Sequence, residues 1–216
     1  MQNSNLMVSE IFRSIQGEGL QQGRPCTFVR LAGCNLRCTW CDTEYAFYEG
    51  TRMSVAEVLE RVETFRCRLV EVTGGEPLLQ AGAFELMAAL CDRGYDVMLE
   101  TSGAVSIAPV DPRVRRIVDV KCPGSGMSDR NFWGNIAELR QTDELKFVLR
   151  DRADFDWAVA RIRDLDLTSR CPLIFSPVFG ELEPVLLAGW ILESRVPVRM
   201  QLQMHKYVWE PLARGV

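Results

Sequence analysis

Short runs rich in Val, Ile and Leu recur along the chain, at 26–32 ("CTFVRLA"), 68–73 ("RLVEVT"), 96–101 ("DVMLET"), 116–121 ("RIVDVK"), 144–149 ("ELKFVL"), 172–177 ("PLIFSP") and 198–203 ("VRMQLQ"). Each is strand-length and is separated from the next by a longer segment whose apolar residues repeat at helical period. The clearest helix begins at "SVAE", where Ser54 is a capping hydroxyl and Glu57 closes a capping box; Val55, Val58, Leu59, Val62 and Phe65 then share one face. A second runs over 82–92 with Phe84, Met87 and Leu90 inward and Gly94 as its stop, and others fall within 153–164 and within 183–193, where Pro184 sits in the first turn. Segment 122–139 opens with turn residues and reads as a long loop over one end of the sheet.

Strands alternating with helices predict an α/β fold with a largely parallel sheet covered by helices. A complete eightfold barrel takes about 250 residues. At 216 residues the chain is too short for that with an N-terminal extension. The expectation is therefore a reduced or partial (β/α) barrel of about six to seven largely parallel strands, in one domain spanning 1–216, with the site at the C-terminal strand ends.

The polar residues collect at these strands in a pattern that supports that placement. "GCNLRCTWC" follows the first strand, "TGGEP" (73–77) the second, "ETSG" (100–103) the third and "DVK" (119–121) the fourth. "ELK" (144–146) begins the fifth and so fits less well; "SP" (176–177) closes the sixth and "QMHKY" (203–207) follows the last. In parallel α/β folds the carboxyl ends of the strands form the ligand-binding face, so groups remote in sequence meet there.

Charge narrows the ligand. Lys and Arg number 25 against 29 Asp and Glu, a balance of −4 that gives no basic footprint for nucleic acid or an anionic membrane. The first ten residues carry no basic or apolar leader pattern, and no apolar run approaches the roughly 20 residues of a spanning helix. A soluble, cytoplasmic protein acting on a small molecule is the expectation. Its eight cysteines are then thiols rather than disulfides. Cys26, Cys67, Cys91, Cys122 and Cys171 stand singly among apolar neighbours and read as small buried hydrophobes.

Cys34, Cys38 and Cys41 form the one group, in "CNLRCTWCDT". A closed zinc site needs a fourth Cys or His, and the only histidine is His205. A catalytic zinc with three thiolates, a non-enzymatic zinc or iron-sulfur module, and a 4Fe-4S cluster with one iron left open all remain compatible with three thiolates.

"CNLRCTWC" resembles the cysteine loop of radical S-adenosylmethionine enzymes, and "TGGEP" resembles their glycine-rich segment. The resemblance implies a 4Fe-4S cluster on Cys34, Cys38 and Cys41 whose fourth iron takes S-adenosylmethionine. Narrower features, "FRSIQGEG" (12–19), "GRPCTFVRLAGCNLRC" (23–38), "CDT" (41–43), "ETSG", "ELK" and "QMHKY", are similar to those of the 7-carboxy-7-deazaguanine synthases over nearly the whole chain. Glycyl-radical activating enzymes are the alternative family, which "QGEG" and "HKY" fit poorly.

This narrower resemblance implies conversion of 6-carboxy-5,6,7,8-tetrahydropterin to 7-carboxy-7-deazaguanine with loss of ammonia, by a radical lyase of queuosine-type biosynthesis. No side chain is assigned as acid or base. It places Ile15, Gln16, Gly17, Glu18, Arg30, Thr73, His205 and Pro211 on the substrate, Arg30 being the carboxylate partner rather than a surface ion pair. It places Trp40, Cys41, Asp42, Gly75, Glu76, Asp119, Val120, Lys121 and Ser176 on S-adenosylmethionine. Thr43 would be a ligand of Mg2+ completed by substrate and water, its alternative being a loop-capping hydroxyl. An electron donor such as a flavodoxin or ferredoxin and a homodimeric state are implied too. The family's chains commonly stop soon after "HKY", whereas here "VWEPLARGV" runs on past Pro211.

Overall fold

The computed structural model describes residues 4–216; residues 1–3, the start of the stretch read for a leader, lie outside them. One nine-stranded sheet runs through it: β1 (Asn5–Ile15), β2 (Pro25–Leu31), β3 (Thr51–Ser54), β4 (Leu69–Gly74), β5 (Asp96–Thr101), β6 (Arg115–Asp119), β7 (Glu144–Leu149), β8 (Leu173–Pro177) and β9 (Arg199–Met200). The spatial order is β3-β1-β2-β4-β5-β6-β7-β8-β9. From β2 through β9 every pairing is parallel, while β1 is antiparallel to both β2 and β3.

The seven parallel strands are the seven read from the sequence. The expectation of six to seven strands omitted β1 and β3. β1 is largely half-exposed, and a bulge between Val8 and Glu10 shifts its register, so its apolar alternation changes phase midway. β9 is shorter than expected: only Arg199 and Met200 pair with β8, as suits an edge strand.

Helices α1 (Val55–Thr64), α2 (Ala81–Asp92), α4 (Arg152–Asp164) and α5 (Pro184–Ser194) cover the sheet; α3 (Asn135–Glu138) and α6 (His205–Val208) are single turns. The Ser54–Glu57 capping box is formed, Ser54 Oγ accepting from Glu57 N–H at 3.3 Å and Glu57 Oε2 from Ser54 N–H at 2.7 Å. Between helices and sheet lies the main core, from Leu6 and Leu31 through Val72, Leu99 and Phe147 to Phe175. Four of the five single cysteines are buried as expected; Cys91, on α2, is only partly so.

The sheet curls without closing, and its concave side is layered. At the strands' amino ends Cys26, Phe28, Leu69, Met98 and Ile117 form a second apolar cluster capped by Phe12, whose ring stacks on Phe28 at 5.0 Å. Above that plug the inward positions turn polar. The gap between β1 and β9 is bridged by the 16–24 loop: Gly19 N–H donates to Gln201 Oε1 at 2.6 Å, Gln201 Nε2 returns a bond to Gly19 O at 2.9 Å, and Met204 N–H donates to Gly17 O at 3.1 Å. "QGEG" and "QMHKY", 180-odd residues apart, are thereby held together at the mouth of the half-barrel. No described helix is long and apolar enough to cross a membrane.

Candidate active site

Above the apolar plug, at the carboxyl ends of the strands, lies a cavity of about 510 Å³. Cys34, Cys38 and Cys41 line it, all half-buried in the loop after β2. Burial pushes each thiol up, an effect a bound metal reverses because a coordinating thiol is deprotonated outright. Among the described residues no three His, Cys, Asp or Glu side chains are placed to share one metal ion, as the zinc readings require. Thiolates that each take a different iron of a cluster need no such convergence.

Two further features fit a cofactor beside that loop. Gly75 crosses the cysteine loop so closely that a Cβ there would lie 2.7 Å from Cys34 Cβ and nearer still to Gly33 O. Asp119 is buried, with Oδ2 bonded to Lys121 Nζ at 2.6 Å, yet its Oδ1 has no partner among the described residues. A buried acceptor left open at the edge of a cavity is the kind of group a ligand donor completes. Lys121, despite burial, is held well above the usual lysine range by Asp119, so its ammonium stays charged. Trp40, Asp42 and Thr43 also line the cavity. Asp42 is bridged to Lys206 at 2.6 Å, and this ammonium outweighs burial to bring its carboxyl down to about 2. Thr43 Oγ1 donates to Asp42 Oδ1 at 2.9 Å, and Thr43 makes no side-chain capping bond to the turn at Glu44–Phe47 that follows it.

Three of the proposed cofactor residues are placed otherwise. Val120 packs its side chain in the main core, on the opposite face from Asp119 and Lys121, because side chains alternate about the chain there. Ser176 is buried and its Oγ donates to Gln201 O at 2.9 Å, tying β8 to the chain end of β9. Glu76 is fully buried and latches two loops: its carboxylate accepts from Leu78 N–H at 2.9 Å, from Thr101 Oγ1 at 2.8 Å and from Ser102 N–H at 2.7 Å. It joins "TGGEP" to "ETSG" rather than facing the cavity.

On the other side of the cavity Ile15, Gln16, Gly17, Glu18, Arg30, Thr73, His205 and Pro211 all line the wall. Arg30 Nε donates to Glu10 Oε1 at 2.7 Å, and Tyr45 Oη donates to the same oxygen at 2.6 Å. The terminal nitrogens of Arg30 bond to no described residue. His205 stacks against Gly17, where a side chain would collide with its ring. Glu18 is more committed than expected, with Oε2 on Lys146 Nζ at 2.9 Å and Oε1 accepting from Gln203 Nε2 at 3.0 Å. Past Pro211 the chain continues along the cavity: Arg214 lies 3.6 Å from the Tyr45 ring centroid and pairs with Glu49 at 2.8 Å.

Sequence reasoning placed "ETSG" and "ELK" among the strand-end groups but singled out none of the charged strand residues on the cavity floor as site residues. Glu71 on β4, Glu100 on β5 and Lys146 on β7 line it together. Lys146 Nζ bonds both Glu18 and Glu100. Burial alone would lower the Lys146 pKa, but Glu100 and Glu18 raise it well above its ordinary value; Lys146 and His205 in turn outweigh burial at Glu18 and hold that carboxyl low. Glu144 accepts from Leu20 N–H at 2.9 Å, and burial pushes its carboxyl up to about 7. The available signal was a charge standing inside an otherwise apolar run, at inward positions of three strands.

A half-barrel whose strand ends carry three cysteines beside a glycine-rich crossing defines the radical SAM class, and the Radical SAM superfamily model matches residues 29–122. The chain belongs, within that superfamily, to the 7-carboxy-7-deazaguanine synthase family. It is 52% identical to the 7-carboxy-7-deazaguanine synthase of Chlorobaculum tepidum, over 98% of this chain and 97% of the relative. To that of Koribacter versatilis it is 43% identical, over 98% of this chain and the full length of the relative. In three dimensions it superposes on the crystal structure of QueE from Escherichia coli with a TM-score of 0.76, covering 93% of this chain and 95% of the other at 21% identity, a likeness of fold.

Proposed function

We propose that this chain converts 6-carboxy-5,6,7,8-tetrahydropterin into 7-carboxy-7-deazaguanine with loss of ammonia, as a radical lyase of 7-deazapurine biosynthesis. The observation that carries the assignment of the site is Arg30: a guanidinium anchored through Nε, its terminal nitrogens bonded to no described residue, on the cavity wall formed by the strand that leads into the three-cysteine loop. That geometry suits a bidentate carboxylate, and the acidic floor beside it suits the N–H-rich edge of a pterin.

The thiolates of Cys34, Cys38 and Cys41 would hold the 4Fe-4S cluster, which with S-adenosylmethionine supplies a 5′-deoxyadenosyl radical for hydrogen abstraction. Trp40, Gly75, Asp119 and Lys121 border the cofactor half of the cavity, with the open Asp119 oxygen as an acceptor for a cofactor donor. Val120 and Ser176 enter only through the backbone they support, and Glu76 through the loops it latches. Arg30, aided by His205, orients the substrate carboxylate, while Gln16, Glu18 and Thr73 face the heterocycle. Thr43, at the join of the two halves, is the proposed magnesium contact. An electron donor such as a flavodoxin or ferredoxin, cytoplasmic location and a homodimer complete the reading; the exposed apolar residues Val185 and Leu192 of α5 support the last.

The test is anaerobic turnover of reconstituted protein with the carboxytetrahydropterin, S-adenosylmethionine and reductant, followed by mass analysis. Absence of 7-carboxy-7-deazaguanine overturns the reading. Arg30→Lys keeps the charge but loses the fork, and its KM should rise about 10- to 100-fold, the worth of a charge-assisted hydrogen bond, with a smaller change in kcat. An unchanged KM removes Arg30 from the substrate. In a magnesium titration, Thr43→Ala should lose the activation that the wild type displays while keeping its iron content; an identical titration curve would remove Thr43 from the metal.

A further inference from the structure

The floor of the cavity carries more acid than base. Glu18, Glu71 and Glu100 converge there on the ammonium of Lys146, which bonds Glu18 and Glu100, while Glu71 pairs with no cation among the described residues. Glu71 is 2% exposed, and its one hydrogen-bond partner among the described residues is the Gln16 amide, whose Nε2 donates to Glu71 Oε2. Gln16 Oε1 accepts from Glu18 N–H at 3.1 Å, which turns the NH₂ end of the amide toward Glu71. One carboxyl oxygen of Glu71 is thus an acceptor, and the other is available to carry a proton. Three ionised carboxylates around one ammonium would leave two negative charges uncompensated, one of them on the nearly fully buried Glu71, a state that buried groups avoid by taking up a proton.

We propose that Glu71 is held as the neutral acid on the cavity floor and is a catalytic residue, donating its proton to the amine nitrogen that leaves as ammonia. This role rests on the reaction proposed above. In the step, the carbon–nitrogen bond breaks with its electron pair going to nitrogen, and the Glu71 proton goes to that nitrogen. The carboxylate left behind takes the proton that the ring carbon releases as the new five-membered ring becomes aromatic. Protons and electrons balance, and the acid is regenerated without an outside reactant. Burial first, then Glu100 and Glu18, raise the Glu71 carboxyl well above the usual range against the pull of Gln16 and Lys146, so the carboxylate is a strong base for that return. The titratable groups that face it are Glu18 from the 16–24 loop, Cys26 from β2, Glu100 from β5 and Lys146 from β7.

Two measurements on the full chain test this. Infrared difference spectra of wild type against Glu71→Gln, without substrate or cofactor at neutral pH, should contain a deuterium-sensitive carboxylic-acid carbonyl band from the wild type; its absence overturns the protonation. Single turnover with substrate deuterated on its ring carbons should leave deuterium transfer to 5′-deoxyadenosine intact in Glu71→Gln, while ammonia and product fall about 100-fold, the lower range for general acid catalysis. Product formation at the wild-type rate overturns the proposal. So does loss of deuterium transfer in parallel with product in both Glu71→Gln and Glu71→Asp, which assigns Glu71 to substrate positioning. A wild type that shows the carbonyl band but makes no deazaguanine sinks the proposed reaction and this catalytic role with it, while the protonation stands.

Discussion

Lys146→Met is expected to abolish turnover and to lower the melting temperature on the order of 10 °C, the largest stability loss from any single cavity residue. Lys146 is 4% exposed and, among the described residues, is the sole cation bonded to Glu18 and Glu100. Breaking a buried pair by removing one partner costs about 3–5 kcal/mol, because the other charge stays buried and uncompensated. Here two charges are stranded. Glu18 belongs to the loop that bridges β1 and β9, so its release loosens the closure of the half-barrel together with the cavity wall it lines. The pH dependence has a definite sign. The Glu18 carboxyl is held below its ordinary value, so its contribution is present above the unfolded carboxylate pKa of 4.5 and is lost as pH falls through the folded one. The raised Lys146 contributes fully below the ordinary lysine value of 10.5 and is lost only at strongly alkaline pH. The gap in stability between wild type and variant should therefore be widest between about pH 6 and 9 and should narrow in acid. A second change, Glu100→Gln in the Lys146→Met background, should recover part of the lost melting temperature, since it removes one stranded charge. Thermal melts over this pH range decide the matter; a pH-independent loss would reduce Lys146 to a packing residue.

That Lys146 proves central, although "ELK" was the weakest of the strand-end groups, shows what a sequence exposes and what it hides. The parallel strands are legible because both faces are buried, giving continuous apolar runs such as "LVEVT" and "LKFVL". β1 is not, since its half-exposed alternation changes phase at the bulge. The cysteine loop is legible because three thiols at turn-like spacing have few structural explanations. The charged floor is not legible as a cluster. Glu71, Glu100 and Lys146 each look like a stray charge within a strand, and only the parallel register brings Glu71 opposite Met98 on β5 and Lys146 opposite Asp119 on β6. Val120 marks the reverse case. A resemblance carries a three-residue motif over whole, whereas backbone alternation sends its middle side chain to the other face.

Gly75→Ala should be nearly as damaging to activity as Cys34→Ala, although it removes no functional group. In Cys34→Ala a cluster held as proposed would lose one of its three protein ligands, and reconstituted iron and turnover should both fall to background. In Gly75→Ala the new methyl group would meet Cys34 Cβ at 2.7 Å and the Gly33 carbonyl closer still. Neither neighbour is the free end of a flexible side chain. Gly33 O already accepts from Glu76 N–H at 2.8 Å, and Gly75 N–H donates to Leu31 O at 3.1 Å, so the two loops are stitched together on both sides of the collision. The strain is relieved by moving the cysteine loop away from β4, which separates Cys34 from Glu76 and its latch to Thr101 and Ser102. A displacement of 1 Å at a catalytic centre costs on the order of 100-fold in rate. Gly75→Ala should accordingly retain its fold by circular dichroism and bind some iron. It should lose at least 100-fold in turnover, and its bound S-adenosylmethionine should weaken in equilibrium dialysis. Retention of wild-type turnover would mean that the two loops part without moving the thiolates, and that their close crossing is a packing contact alone.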